Sequence, residues 1–281
     1  MSLLAMNTML LKGKDMRVAL EESLRDRIEA LPHAPVFCDV VVGDDMASLQ
    51  YVAMKERYAH SLGIQTRSCA LSETATTEEV IDAVTAISRE QHMAGLIVQL
   101  PLPKHIDRTR VLDAVPTAID VDCLGKEQSE NFYANKSSLI FPTVQAIMHL
   151  LQSYLSKEKS ILVIGTGPLV GRPTAHVLTS QGYKVTSVAK DIPNLSEYTR
   201  THDIIISGAG IPELIHDDMI RSGAVVIDAG TSEMDGAIVG DVLVSSLTEQ
   251  PEALAPVPGG VGPLTVYFLM ENVVRASEQM K

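Results

Sequence analysis

The segment 161–173, Ile-Leu-Val-Ile-Gly-Thr-Gly-Pro-Leu-Val-Gly-Arg-Pro, leaves the chain few ways to fold. A short apolar run meets a glycine-rich turn, and helix-type spacing follows through Leu178. Strand, glycines, helix is the order that builds a phosphate-binding crevice. Gly165 can take the tight turn, and Gly167 lets backbone N–H groups approach a pyrophosphate. The partly positive N-terminus of the following helix then faces the anion. Gly171 falls one residue late for the G-x-G-x-x-G pattern. Glycine turns also end many strands that bind nothing, but the placement between strand and helix favours a nucleotide site.

The segments that follow repeat the theme. Residues 184–189 read as the next strand, ending at Lys190-Asp191. An acidic residue there suits a free ribose 2′-hydroxyl and a basic one a 2′-phosphate, and this chain offers both. Residues 203–210 and 224–230 each run from an apolar strand into glycines, Gly208 and Gly230, which fits parallel strands whose C-terminal ends lie beside a cofactor. Asp235-Gly236 marks a tight hairpin. Residues 255–265 hold three prolines and three glycines, which fix a loop of unusual backbone shape. A terminal helix is expected from Thr265 through Val274.

The first half reads as further α/β structure. A helix is expected over 15–30, strands over 36–42 and 64–71, and a helix from about Ser48 to Leu62 with Gly63 as its C-cap. A helix over 77–90 would start from Thr77, and a buried strand spans 96–98. Ser48, Tyr51 and Lys55 share one helix face, at i, i+3 and i+7, just beyond the C-terminal end of a strand, where open α/β sheets hold ligands. A hydroxyl, a phenol and an amine there can bind and protonate a heterocycle, but spacing alone favours a solvated Lys beside a half-buried Tyr. Gln99, at the end of its strand, needs either a backbone or a ligand partner. Asp120 and Asp122 sit two apart, without the further acidic ligands a calcium loop requires, so no metal is expected. Residues 125–138 are polar and read as an irregular surface loop, and 144–154 as a helix linking two domains.

At 281 residues two domains are expected, and a formal charge of −12 argues against nucleic acid or an anionic membrane as a partner. Cys38, Cys69 and Cys123 are odd in number and show no C-x-x-C pair, which fits reduced thiols in the cytoplasm. No apolar run approaches the ~20 residues that span a bilayer, and no signal-peptide pattern opens the chain. Met1-Ser2-Leu3 reads as an added leader, with Met6 or Met9 nearer a natural start.

Four segments together resemble the bifunctional methylenetetrahydrofolate dehydrogenase/cyclohydrolase family over nearly the whole chain. They are Ala47-Ser48 with Tyr51-Val52 and Lys55; residues 95–103; Asp120-Val121-Asp122; and Pro-Val-Pro-Gly-Gly-Val-Gly-Pro-Leu-Thr at 256–265. Val239-Gly240-Asp241-Val242 adds to them. The resemblance implies an α/β protein with an N-terminal folate domain, residues 1–143 and 266–281. A Rossmann-like, doubly wound parallel-sheet domain, residues 144–265, would complete it, with the active-site cleft between the two and a homodimer as the assembly. The implied activity is NAD(P)-dependent oxidation of 5,10-methylenetetrahydrofolate to the methenyl form, then hydrolysis to 10-formyltetrahydrofolate. A dehydrogenase-only folate enzyme and a non-catalytic ligand-binding relative are the alternatives.

By this resemblance Lys55 is the acid–base residue of the hydrolysis, Gln99 holds its orientation, and Tyr51 stacks on the folate. Asp122 accepts hydrogen bonds from the pterin, and Ser48 supports the same site. Pro258, Gly259 and Gly260 line the folate side. Gly165, Thr166, Gly167, Val170, Gly171, Lys190, Asp191, Gly208, Gly230, Thr231 and Thr265 line the cofactor side. The chain departs from the family at Gly165-Thr166-Gly167, where Gly-Arg-Ser is usual, and at Lys190-Asp191. NADP is the family default, and Thr166 and Asp191 leave room for NAD. The Gly usual after Asp-Val-Asp is displaced to Gly125, beyond Cys123-Leu124.

Overall fold

A computed structural model describes residues 8–234, 236–247 and 251–280, with only the backbone of Ala47. The described residues divide into two compact units: those from 8 to 18 with those in 143–265, and those in 19–142 with 266–280.

The chain begins with β1 (Met9–Leu10) and α1 (Gly13–Glu29), then alternates through β2 (Val36–Val42), α2 (Met46–Leu62), β3 (Gln65–Leu71), α3 (Thr77–Ile87) and β4 (Met93–Val98). β2 lies between β3 and β4 in a three-stranded parallel sheet. Every residue of β2 is buried, as expected of a strand covered on both faces. Val36, Cys38, Val40 and Val42 point to the side that packs on Val80 and Val84 of α3. The alternate residues, Phe37 and Asp39, point to the other side. On that side Gly95 leaves no room for a side chain, since a Cβ would stand 2.5 Å from Val273 Cγ2.

The start of α2 is fixed by Asp45, whose carboxylate accepts the Ser48 N–H at 2.8 Å, and its end by Gly63 in the left-handed region at φ 95. The cap of α3 lies one residue earlier than the sequence suggests. Thr76, not Thr77, accepts the Glu79 N–H at 3.2 Å, and Glu79 returns the bond to the Thr76 N–H at 2.8 Å. Thr77 accepts instead from the Asp107 N–H at 3.0 Å.

Next come α4 (Arg108–Asp113) and α5 (Lys126–Tyr133). The second corrects the expectation of an irregular loop over 125–138. Its composition is polar, but Gln128 and Phe132, one helical turn apart, are both buried, with Phe132 edge-on to Phe141 at 4.8 Å between centroids.

The remaining elements are α6 (Pro142–Leu151), β5 (Ser160–Ile164), α7 (Gly171–Ser180), β6 (Lys184–Val188), α8 (Leu195–Thr199), β7 (Ile204–Ser207), β8 (Val225–Asp228), β9 (Ser232–Met234), β10 (Ala237–Val239), β11 (Ala253–Ala255) and α9 (Val261–Gln279). A six-stranded sheet runs β1-β11-β8-β7-β5-β6, all parallel. β9 and β10 pair antiparallel around the expected hairpin; Gly236 turns there at φ 76, and Asp235 lies outside the described residues.

Two boundaries differ from those read in the sequence. β1 pairs with β11, and Gly13 N–H donates to Gly259 O at 2.9 Å, so residues 8–18 join the six-stranded unit and not the one built on the three-stranded sheet. α9 starts at Val261, four residues ahead of Thr265, with Pro263 in the first turn, where a missing N–H costs nothing. Met1-Ser2-Leu3 and Met6 lie outside the described residues.

Candidate acid–base and nucleotide sites

The acid–base cluster lies at the carboxyl edge of the three-stranded sheet. Lys55, on the third turn of α2, is 3% exposed. Its ammonium donates to Gln99 Oε1 at 2.7 Å and forms an ion pair with Asp39 of β2. Gln99 N–H extends the sheet ladder to Val40 O at 2.8 Å, and its Nε2 donates to Leu100 O at 2.6 Å. The amide is thereby turned so that its oxygen, not its nitrogen, meets the lysine. The Tyr51 ring lies 4.7 Å from Lys55 Nζ and is 39% exposed, a face free for stacking. Ser48 is buried one turn earlier on the same helix.

Asp39 is the member of this cluster that sequence reasoning passed over. It is 1% exposed, and among the described residues Oδ1 has no hydrogen-bond partner while Oδ2 has only the ion pair to Lys55. The available signal was a single carboxylate inside an otherwise apolar strand, Val-Phe-Cys-Asp-Val-Val-Val, since a buried charge demands a partner.

The two aspartates of Asp-Val-Asp do different work. Asp120 turns inward and accepts the Gly125 N–H at 2.7 Å and the Leu124 N–H at 3.3 Å. Gly125 is small by necessity there, because a Cβ would stand 3.0 Å from Asp120 Oδ2 and from Leu112 O. Asp122 is half-buried; burial raises its carboxyl above the usual range, and the charge of Lys55 opposes that. Cys123, immediately after Asp122, adopts φ 61, in the left-handed region. Asn272 of α9 holds this loop, donating to Val121 O at 2.8 Å and Ile140 O at 2.7 Å.

Burial also pushes the Asp120 carboxyl up to about 7, against the backbone N–H groups that favour its charge. A raised folded value means that the protonated acid stabilises the fold. That contribution is complete below the ordinary value near 3.8 and is lost as pH rises to about 7. Between pH 5 and 7.5 the protein is therefore expected to lose roughly 2 kcal/mol relative to its Asp120→Asn variant. Urea unfolding of both proteins at the two pH values measures this, and parallel stabilities would disprove it.

The nucleotide loop forms at the carboxyl ends of β5 and β7. β6 flanks β5 on one side and β7 on the other, so the strand order reverses here, where open α/β sheets take ligands. Gly165 turns at φ 92, and a Cβ on it would stand 2.6 Å from Gly208 O. Val170 fills the space beside Gly208, where a Cβ would meet its Cγ1 at 2.6 Å. Gly171 opens α7 with no side-chain cap on the helix. Around Gly167 nothing lies within 4 Å of a Cβ, and Thr166 and Gly167 are exposed. An open, uncapped helix N-terminus behind an exposed glycine turn suits a dinucleotide pyrophosphate.

Two buried carboxylates brace this edge. Asp241 accepts from Ser207 Oγ at 2.6 Å, Ala209 N–H at 2.8 Å and Ile211 N–H at 2.9 Å. Asp228 accepts from the backbone N–H groups of Gly230, Asp241 and Val242. Gly230 packs directly on Asp241, which explains the Val-Gly-Asp-Val segment as structure. Lys190, Asp191 and Thr231 are exposed. Pro258 and Gly259 are exposed and Gly260 is buried, while the Thr265 hydroxyl donates to Val261 O of its own helix at 3.3 Å. The cysteines form no disulfide, and burial raises the thiols of Cys38 and Cys123 well above their usual range.

A glycine turn at the strand-order reversal of a doubly wound sheet, and a buried lysine held by an amide and a carboxylate on a second parallel sheet, define a nucleotide-dependent α/β enzyme. Comparison with known proteins gives the class its particular member. The tetrahydrofolate dehydrogenase/cyclohydrolase catalytic domain matches residues 11–122, and the NAD(P)-binding domain of the same family matches residues 142–281. The Bifunctional protein FolD of Exiguobacterium sp. is 34% identical over 271 residues, covering 95% of this chain and 98% of that protein. The crystal structure of FolD methylenetetrahydrofolate dehydrogenase/cyclohydrolase from Campylobacter jejuni superposes with a TM-score of 0.91 at 31% identity, covering 98% of this chain and all of that one. The Trypanosoma brucei enzyme, complexed with NADP and an inhibitor, has a TM-score of 0.89 at 28% identity, covering 97% of this chain and 98% of that one. The chain belongs to the tetrahydrofolate dehydrogenase/cyclohydrolase family.

Proposed function

We propose that this protein oxidises 5,10-methylenetetrahydrofolate to 5,10-methenyltetrahydrofolate with NAD(P)⁺ and then hydrolyses the product to 10-formyltetrahydrofolate. The observation that carries the hydrolytic half is the buried Lys55, donating to Gln99 and paired with Asp39 beneath an exposed Tyr51 ring. A lysine so enclosed can exchange a proton with a bound substrate without competing bulk water.

In this reading Tyr51 stacks on the pterin, Asp122 accepts from its amino and ring N–H groups, and Lys55 moves the proton in hydrolysis. Gln99 fixes the direction in which the Lys55 protons point, and Ser48 supports the same helix face. Gly165, Thr166, Gly167, Val170 and Gly171 receive the pyrophosphate, with Gly208 and Gly230 forming the adjoining edge. Lys190, Asp191, Thr231 and Thr265 are assigned to the same ligand, and Pro258, Gly259 and Gly260 to the folate side. The nicotinamide, when bound, supplies the acceptor for the hydride. NADP is the cofactor of the family, and the exposed Thr166 and Asp191 permit NAD as well. We assign a homodimer in the cytoplasm with no nucleic-acid or membrane partner. The charge of −12 supports the absence of polyanionic partners, and three cysteines without a disulfide suit a reducing compartment.

Titrating NADP and NAD against 5,10-methylenetetrahydrofolate, while following methenyl and 10-formyl products separately, tests the whole reading. Both products are expected. Methenyl product alone would reduce the protein to a dehydrogenase, and no turnover with either cofactor would overturn the assignment.

A further inference from the structure

Asp39 lies outside every motif that carries the family resemblance, yet it makes the only ion pair Lys55 forms among the described residues. The pair is 3% and 1% exposed, so water does little to stabilise either charge. Lys55 has three protons to place. One goes to Gln99 Oε1, an acceptor that cannot itself be protonated in this range, and the ammonium is ion-paired with Asp39, which can.

We propose that Asp39 is the proton partner of Lys55: it takes a proton from the ammonium and leaves a neutral amine to act as base in hydrolysis. This rests on the assignment of Lys55 made above. The transfer turns Lys55-NH₃⁺ and Asp39-COO⁻ into Lys55-NH₂ and Asp39-COOH, with no net charge moved into the buried site. The amine then removes a proton from water as the water oxygen bonds to the methenyl carbon, which quenches the cation. On ring opening the C–N5 bond breaks, Lys55 gives a proton to N5 and recovers one from the hydroxyl of the adduct. The pair is left with one proton more than at the start, on Asp39, and resets by losing it to solvent. That equals the single proton released when a methenyl cation and water become a neutral formamide.

The surroundings suit an acid that changes state. Burial raises the Asp39 carboxyl to about 6, with Lys55 drawing it back down. Of the charged groups acting on it, Lys55 of α2 favours its ionisation, and the negative charges of Asp122 and of Glu56 on α2 oppose it. Its ladder neighbours, Ser68 and Ile97, carry no charge. Asp39 is thus a positioning residue that acts through Lys55.

Asp39→Asn keeps the shape and removes the proton acceptor. Its cyclohydrolase kcat is expected to fall at least tenfold, with KM within threefold and a fall in the ratio of hydrolysis to dehydrogenation. The wild-type hydrolysis rate should decline on the acid side with a midpoint near 6, and the variant should lose that limb. A variant with kcat within threefold of wild type and an unchanged acid limb would overturn the proposal. Should the variant not fold, a wild-type profile flat from pH 5 to 7.5 overturns it equally. The Lys55→Met protein separates the two readings. If it is inactive in hydrolysis while Asp39→Asn is normal, only the role of Asp39 fails; if it is active, the role of Lys55 fails first.

Discussion

Lys55→Met is expected to lower cyclohydrolase turnover by ~10²- to 10⁴-fold or more, the range that general acid–base catalysis supplies. Methionine keeps most of the length and the apolar stem, so α2 still packs against the sheet. The lost charge leaves Asp39 buried alone, and its cheapest response is to bind a proton, which removes the penalty of an isolated carboxylate. The variant should therefore fold and bind dinucleotide, as read by nucleotide titration of the protein fluorescence. Dinucleotide binding with no formation of 10-formyl product is the expected pair of results. Cyclohydrolase turnover within tenfold of wild type would remove Lys55 from the mechanism.

Gly171→Ala acts in the other unit and through sterics alone. The new Cβ would stand 1.7 Å from Gly165 O and 2.7 Å from Gly165 C. Both contacts are to backbone, so no side-chain rotation relieves them, and either the turn after β5 or the first turn of α7 must move. Overpacking of this kind costs ~1–3 kcal/mol or more. Because the displaced groups are those assigned above to the pyrophosphate, dinucleotide affinity is expected to fall by at least ~100-fold and dehydrogenase turnover with it. Supplied methenyltetrahydrofolate should still be hydrolysed, since Lys55, Gln99 and Asp39 belong to the other unit. The control is Gly167→Ala, where a Cβ meets nothing within 4 Å, so thermal unfolding should match wild type. Equal dinucleotide affinity in Gly171→Ala and wild type would overturn the steric account.

The parts of the fold legible in the sequence are those set by local pattern. β2 ends where its apolar run ends, and α2 stops at Gly63 because only a left-handed residue closes it there. The glycine turn at Gly165 could be placed because its strand and helix adjoin it in sequence. β1 and β11 were not legible, being two and three residues long, too short for alternation; β1 is a strand only because it pairs with β11, and β11 because it lies between β1 and β8. α5 was missed because its polar composition outweighed one buried helical pair, Gln128 and Phe132. The site divides in the same way. Tyr51 and Lys55 share a helix face that spacing reveals, and Gln99 ends a strand. Asp39 meets Lys55 across the helix–sheet contact, and from sequence it was one residue in a hydrophobic run. Which of Asp120 and Asp122 would face the lysine depended on backbone N–H groups at Leu124 and Gly125, which no motif encodes.

The hydrogen bonds from Asn272 to Val121 O and Ile140 O set an order of events for the newly made chain. Lys55, Gln99, Asp39 and Asp122 are all made before residue 123, yet the loop that carries Asp122 is tied down from α9, far downstream. Until that helix emerges, two carbonyls beside the loop lack their donor and Gly95 lacks the Val273 methyl that covers it. The loop is thus completed only when a helix 151 positions further along has been made and has folded back, so the sequence of the site exists well before the site itself.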